Sequence, residues 1–445
     1  MDGQWREAAP GLYQRIATPM ERWMAMITQN GHEHDQEHFV ISVTLQLQVQ
    51  EGLSAFVPDL RHAWGILRQQ HSSIASLLDR KAGIWQYVVP TPDDVDSWFT
   101  ETFIIGPSVT ATGPMPSQAH PPKRPRLLVL PATSQIVFQA PHTVTDGKGL
   151  MLIASELLRI ATASPKAPPS YDAINLSPPF SVAVGLPPVN EDDMRRAASD
   201  LERFLSALPA MILPTKTTTA AVSKRRPART KHVFREISEH DTQSLLSRLK
   251  QRGLTVTHAV HAAIACTTQR FNINPFSNIY AGALVLDGRS VYGDERNCLK
   301  HPASLSCTGW FPTVQVSSFE STAEAFKTEY TKFQRDRRLP NVVDGLIIQV
   351  MPLLSGSAPS SGADALLSSL GLVESVIHHN YSSVEVLGFE IGCEVLTPAI
   401  DIFLYTWRDR IRLAAYYNEN YYEAEMVEQF LGMVISILKR ELMGN

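Results

Sequence analysis

A strand that runs almost without interruption into a helix, with a histidine at the join, constrains this chain more than any other feature. Gln135-Ile-Val-Phe-Gln139 reads as a strand, and Leu150, Ile153, Ala154, Leu157 and Ala161 follow at helical spacing. Between them lies His142-Thr-Val-Thr-Asp146-Gly147. A side chain at the end of a rigid strand can face a cleft between elements. Neutral histidine is the usual general base near neutral pH. Asp146 falls at the edge of the helix, where backbone N–H groups and the dipole favour a carboxylate. Gly147 and Gly149 let the backbone turn tightly. With 14 histidines in the chain, chance gives roughly 0.04 matches to H-x-x-x-D-G, so the pattern is informative. Taken alone it leaves two readings open: a catalytic base, or a turn histidine beside a capping aspartate.

The 445 residues imply about two domains, each of ~200 residues. Strand and helix patterns alternate through both halves. The first half holds a strand over 39–49, a helix over 53–70 with Pro58 in its first turn, and short strands over 84–89 and 126–130. A helix over 192–208 closes it. The second half holds strands over 232–237, 279–286 and 311–316, and helices over 238–250, 255–271 and 321–336. It ends in a hairpin over 400–417 around WRDR and a helix over 423–442. Pro214 to Lys231 has no apolar periodicity and six basic residues, and reads as a crossover linker. The expected division is therefore 1–213, a linker over 214–231, and 232–445. Mixed strands and helices on both sides imply two α/β sandwiches of similar kind.

Hydrophobic residues make up 44% and charged residues 19%, which fits a folded chain rather than a disordered one. A formal charge of -4 argues against a polyanion binder, so no nucleic-acid partner is expected. Cys266, Cys298, Cys307 and Cys393 form no C-x-x-C, which favours reduced thiols over a zinc site or disulfide framework. No run of 18 apolar residues occurs and the first residues lack a secretory pattern, so a cytoplasmic protein with no membrane partner is expected.

His142-Thr-Val-Thr-Asp146-Gly147 resembles the HxxxDG motif of the superfamily that holds chloramphenicol acetyltransferase, the BAHD-type acyltransferases and the condensation domains of peptide synthetases. Leu284-Val-Leu-Asp-Gly-Arg289, Thr308-Gly-Trp-Phe-Pro312, Ser369-Leu-Gly-Leu-Val-Glu374 and the final hairpin and helix resemble further segments of that family, over roughly residues 10 to 442. The fungal trichothecene 15-O-acetyltransferase-like group is the branch most resembled. Pro141 stands where condensation domains carry a first histidine, and the BAHD D-F-G-W-G segment is absent. The resemblance implies two chloramphenicol acetyltransferase-like sandwich domains in a pseudo-dimeric arrangement, with a tunnel between them. It implies an acyl-CoA:alcohol O-acyltransferase, with acetyl-CoA as co-substrate and no resident cofactor. The acceptor would be a small-molecule alcohol of secondary metabolism, such as a terpenoid or polyketide, and the protein a monomer.

By the same resemblance His142 is the base, Asp146 pairs with Arg289, and Gly147 lets the backbone approach the acyl donor. Trp310, Phe311, His378, Asn380, Ser382 and Ser383 are the expected tunnel residues, with the oxyanion donor sought in Asn380–Ser383. The loops 106–125, 164–190 and 355–365 would set the acceptor. Two other chemistries remain: a carrier-thioester condensation or ring closure, and non-catalytic binding by the same fold.

Rival motifs are weaker. His34-Asp-Gln-Glu37-His38 fits H-x-x-E-H, but Gly31 and the strand from Phe39 leave under two turns for a zinc helix, so a polar loop is expected and no metal. His258 and His261 lie three apart on an alanine-rich helix and read as packed or surface histidines, while His378-His379 could line a site. No P-loop, G-x-S-x-G or dinucleotide fingerprint occurs.

Overall fold

The computed structural model describes residues 3–106, 120–164, 168–171, 174–216, 228–282, 284–289, 300–354 and 365–444. Most of the linker, most of the loops 106–125 and 355–365, and Cys298 lie outside them. The chain forms two compact units that are discontinuous in sequence. The first holds residues 1–188, 287–307 and 374–394; the second holds 189–286, 308–373 and 395–445. This differs from a division at one linker: 189–213 packs with the second unit, and two segments of the second half pack with the first.

The first unit is built on a six-stranded sheet. Its order is Asn380–Tyr381, Val384–Cys393, Val40–Val49, Gln135–Pro141, Arg126–Leu130 and Phe103–Ile105. All neighbours are antiparallel except the last pair. Val43, Leu45 and Leu47 are buried, as the alternation of Val40–Val49 requires, but so are Ser42 and Thr44: the strand is central and covered on both faces. The motif helix Gly147–Ala161 and the helix Leu53–Gln70 pack together on this unit. Pro58 lies inside Leu53–Gln70 rather than in its first turn. The missing N–H costs one helical hydrogen bond, which burial of Leu60, Ala63, Trp64 and Leu67 offsets.

The second unit carries a mixed six-stranded sheet. Its order is Cys307–Trp310, Leu284–Asp287, Ala365–Leu372, Ile400–Trp407, Arg410–Asn418 and Thr230–Glu236. Arg408 and Asp409 both have positive φ, which closes the WRDR hairpin in two residues. Ser238 and Thr255 cap their helices through side-chain oxygens. The expected strand over 279–286 is two strands in different sheets, Ile279–Ala281 and Leu284–Asp287.

Candidate active site

The strand Gln135–Pro141 delivers His142, and one turn later Asp146 caps the helix Gly147–Ala161 by accepting from Gly149 N at 2.9 Å. Every acceptor position on Asp146 is used. Arg289 Nη1 reaches Oδ1 at 2.8 Å and Oδ2 at 2.9 Å, and Ser306 N donates to Oδ2 at 2.8 Å. A carboxylate offers about four such positions, so none is left to orient His142. Arg289 is fully buried and also donates to Asp287 and to the Ser304 carbonyl. Burial opposes ionisation of Asp146, but the Arg289 charge and the hydrogen bonds of Arg289, Gly149 and Ser306 hold its carboxyl below the usual range. Burial also pushes the Cys307 thiol up, and the Asp146 charge adds to it.

A close approach of two backbone segments falls at Gly149. Gly147 opens the helix with ordinary φ. A Cβ on Gly149 would lie 2.2 Å from Thr145 Oγ1 and 2.4 Å from the Pro302 carbonyl, which Thr145 Oγ1 already contacts at 2.6 Å. The second glycine of D-G-K-G lets the segment around Pro302 lie against the motif turn.

His142 is half-buried, and its Nδ1 is sealed from solvent without a hydrogen bond of normal geometry. Burial pulls the ring below the usual histidine range, against the Asp146 charge and backbone groups of His142 and Thr145, which favour its protonated form. Two residues that sequence reasoning did not place at the site stand beside it. The Phe39 ring meets His142 edge-on at 6.2 Å, and His38 stacks on Phe39 at 3.7 Å. The available signal was register: Val40 pairs with Pro141, so the residues just before that strand must lie beside His142.

Other expected site residues lie elsewhere. Asn380, Ser382 and Ser383 form an exposed turn before Val384, which pairs with Val49, whereas Cys393 at the far end of that strand pairs with Ile41 near His142. Nine residues of strand put this turn roughly 30 Å from the histidine, so it supplies no oxyanion donor there. His378 is exposed beside Tyr381, which bonds Ser155 on the motif helix. Trp310 donates to Glu329 and packs on Phe333, and Phe311 meets Phe204, all inside the second unit. Of the H-x-x-E-H residues, Glu37 pairs with Arg80 and His32, and His38 bonds the Glu394 carbonyl at 3.2 Å. Among the described residues no group of three or more His, Cys, Asp or Glu is placed to hold a metal, and no helix is long and apolar enough to cross a membrane.

No protein-family model matches the chain. It is 25% identical to acetyltransferase pigO of Monascus ruber over 98% of each chain, and 24% identical to O-acetyltransferase pigM of the same organism over 98% of this chain and 87% of that one. It is also 23% identical, over 98% of this chain and 96% of the other, to a protein of Epichloe uncinata described as the loline biosynthesis cluster 1 transcription factor lolU1. Among solved structures, the trichothecene 15-O-acetyltransferase TRI3 of Fusarium sporotrichioides matches with a TM-score of 0.78 and 16% identity over 98% of each chain. The EpoB cyclization-docking bidomain of Sorangium cellulosum matches with a TM-score of 0.67 and 14% identity, over 96% of this chain and 84% of that one. The mixed α/β fold is thus that of TRI3 and of condensation-type domains, and the full-length relatives named acetyltransferases agree with it. The chain therefore shares its fold with TRI3 and condensation-type domains, and is similar over nearly its whole length to proteins named acetyltransferases.

Proposed function

We propose that this protein is an acetyl-CoA-dependent O-acetyltransferase of secondary metabolism, with His142 as general base and a terpenoid or polyketide alcohol as acceptor. One observation carries the base assignment. His142 ends a central strand with Nδ1 buried, which leaves Nε2 as the nitrogen to meet a substrate. Its lowered pKa keeps the ring neutral near pH 7, the state a base requires. Nε2 takes the proton of the acceptor hydroxyl as that oxygen attacks the thioester carbonyl. The tetrahedral intermediate collapses, the carbon–sulfur bond breaks, and the imidazolium returns its proton to the CoA thiolate. Asp146 and Arg289 take no proton; they fix the turn that carries His142. Supporting this reading are relatives named for acetyl and O-acetyl transfer and a fold shared with a 15-O-acetyltransferase. A cytoplasmic, monomeric enzyme is part of the same reading.

The test offers acetyl-CoA and a panel of terpenoid and polyketide alcohols, and follows free CoA and product mass. His142→Gln is expected to lose ~10²–10⁴-fold in turnover. Full turnover by that variant would remove the base assignment. The likeness to a cyclization-docking bidomain supports a second reading, transfer from a carrier-bound thioester. Pro141 at the position of the first condensation histidine weighs against it. Activity with a carrier-loaded donor and none with acetyl-CoA would reverse that order.

A further inference from the structure

Phe39 has a backbone φ of 58°, in the left-handed region where a bulky side chain is a genuine outlier. Such outliers cluster where surrounding structure over-determines them, often at active sites. Here the over-determination is visible. The Glu394 carbonyl accepts from Phe39 N at 2.8 Å and contacts His38 Nδ1 at 3.2 Å. Glu394 N in turn donates to Val40 O at 2.9 Å. A carbonyl can only accept, so the proton of neutral His38 sits on Nδ1. His38 is buried and stacks face to face on Phe39, with 25° between the ring planes. The strained residue is thus held by His38 and by the Glu394 carbonyl, and its ring packs T-shaped against His142.

We propose that Phe39 is a positioning residue for His142: its ring fixes the imidazole orientation and keeps water from that face, and the Glu394 carbonyl holds it in the strained conformation that does so. This rests on His142 being the base. The charged and titratable groups around the imidazole are Asp146 on its own turn, with Arg289 behind it, and His38 from the turn that leads into the neighbouring strand. His38 is pushed down to about 3 by burial, so it adds no charge at working pH. Asp146 remains ionised, so what Phe39 controls is access of water to the ring.

Phe39→Gly separates the ring from the backbone, because glycine takes a positive φ without strain. The expected result is an unchanged or raised Tm, a kcat lower by ~10- to 100-fold with little change in KM, and a His142 pKa that rises towards 6.5. The pKa is read by NMR on ¹⁵N-histidine-labelled protein, with His142→Gln identifying the resonance. An unchanged His142 pKa in the folded glycine variant overturns the proposal, as does full kcat. Should the glycine variant fail to fold, Phe39→Asn, which also tolerates the left-handed region, is judged by the same titration. The two readings fail separately. Retained turnover in His142→Gln removes the base, whereas the NMR titration reports on ring shielding whether or not His142 is catalytic.

Discussion

Two histidines, one in each compact unit, are both held below the usual histidine range by burial, and they differ in how their ring nitrogens are partnered. His261 is fully buried in the helix Val256–Phe271 of the second unit. Tyr280 gives its one hydroxyl proton to the Ala365 carbonyl at 2.5 Å, so its oxygen must accept from His261 Nε2 at 3.2 Å. Nδ1 then accepts from Tyr330 at 3.2 Å, and the ring lies flat on Phe326 at 3.9 Å. Every polar atom of that imidazole is used. His142 has an equally sealed Nδ1 with no such partner. Burial lowers the pKa of both, so a depressed pKa does not by itself mark a catalytic group; what separates His142 from His261 is a ring nitrogen without a partner.

The comparison can be broken most decisively at the first unit. His142→Gln should cut turnover by ~10²–10⁴-fold while leaving Tm nearly unchanged. An equal loss of Tm would make His142 structural, like His261. Asp146→Ala leaves the buried Arg289 with Asp287 as its remaining carboxylate partner, and should cost up to ~3–5 kcal/mol of stability by denaturant titration. An unaltered midpoint would contradict the role of the pair. His261→Leu should cost ~1–3 kcal/mol by leaving the buried Tyr330 hydroxyl without its acceptor, with specific activity of the folded protein intact. A loss of activity beyond the folded fraction would erase the distinction between the two sites.

The smallest effect is in pH. His38 and His261 are both pushed down to about 3 by burial, so the unfolded chain binds protons near 6.5 that the native state refuses. Their contribution to stability is whole above about 6.5 and is lost progressively as pH falls towards 3. A series of Tm values should show this decline, and His261→Leu should shallow it.

Much of the fold was legible in local pattern. The caps Ser238 and Thr255, the WRDR hairpin and the motif helix each have signals within a few residues. The strand Val384–Cys393 did not, because a bulge between Val386 and Gly388 shifts its register and breaks the alternation of Val384, Val386, Phe389 and Ile391. The helix Leu339–Val350 was hidden by its β-branched residues and by Pro340, which sits harmlessly in its first turn. At the site, the pairing of Asp146 with Arg289 could be expected from family resemblance, 143 residues apart in sequence. The placement of Phe39 beside His142 depends on strand register, and the distance of Asn380–Ser383 from it depends on which end of a ten-residue strand faces the motif. Neither is carried by any short window of sequence.

The return of residues 287–307 and 374–394 to the first unit also bears on recombination. Arg289, Ser306 and Glu394 reach the motif from these two excursions, so the first 188 residues contain His142 without the groups that hold it. A chimera with one breakpoint in the 214–231 segment would exchange those three residues along with the second half. Grafting the motif with its supporting groups onto a relative therefore takes three gene segments, and a donor that differs in the two short ones would inherit the histidine with a foreign clamp.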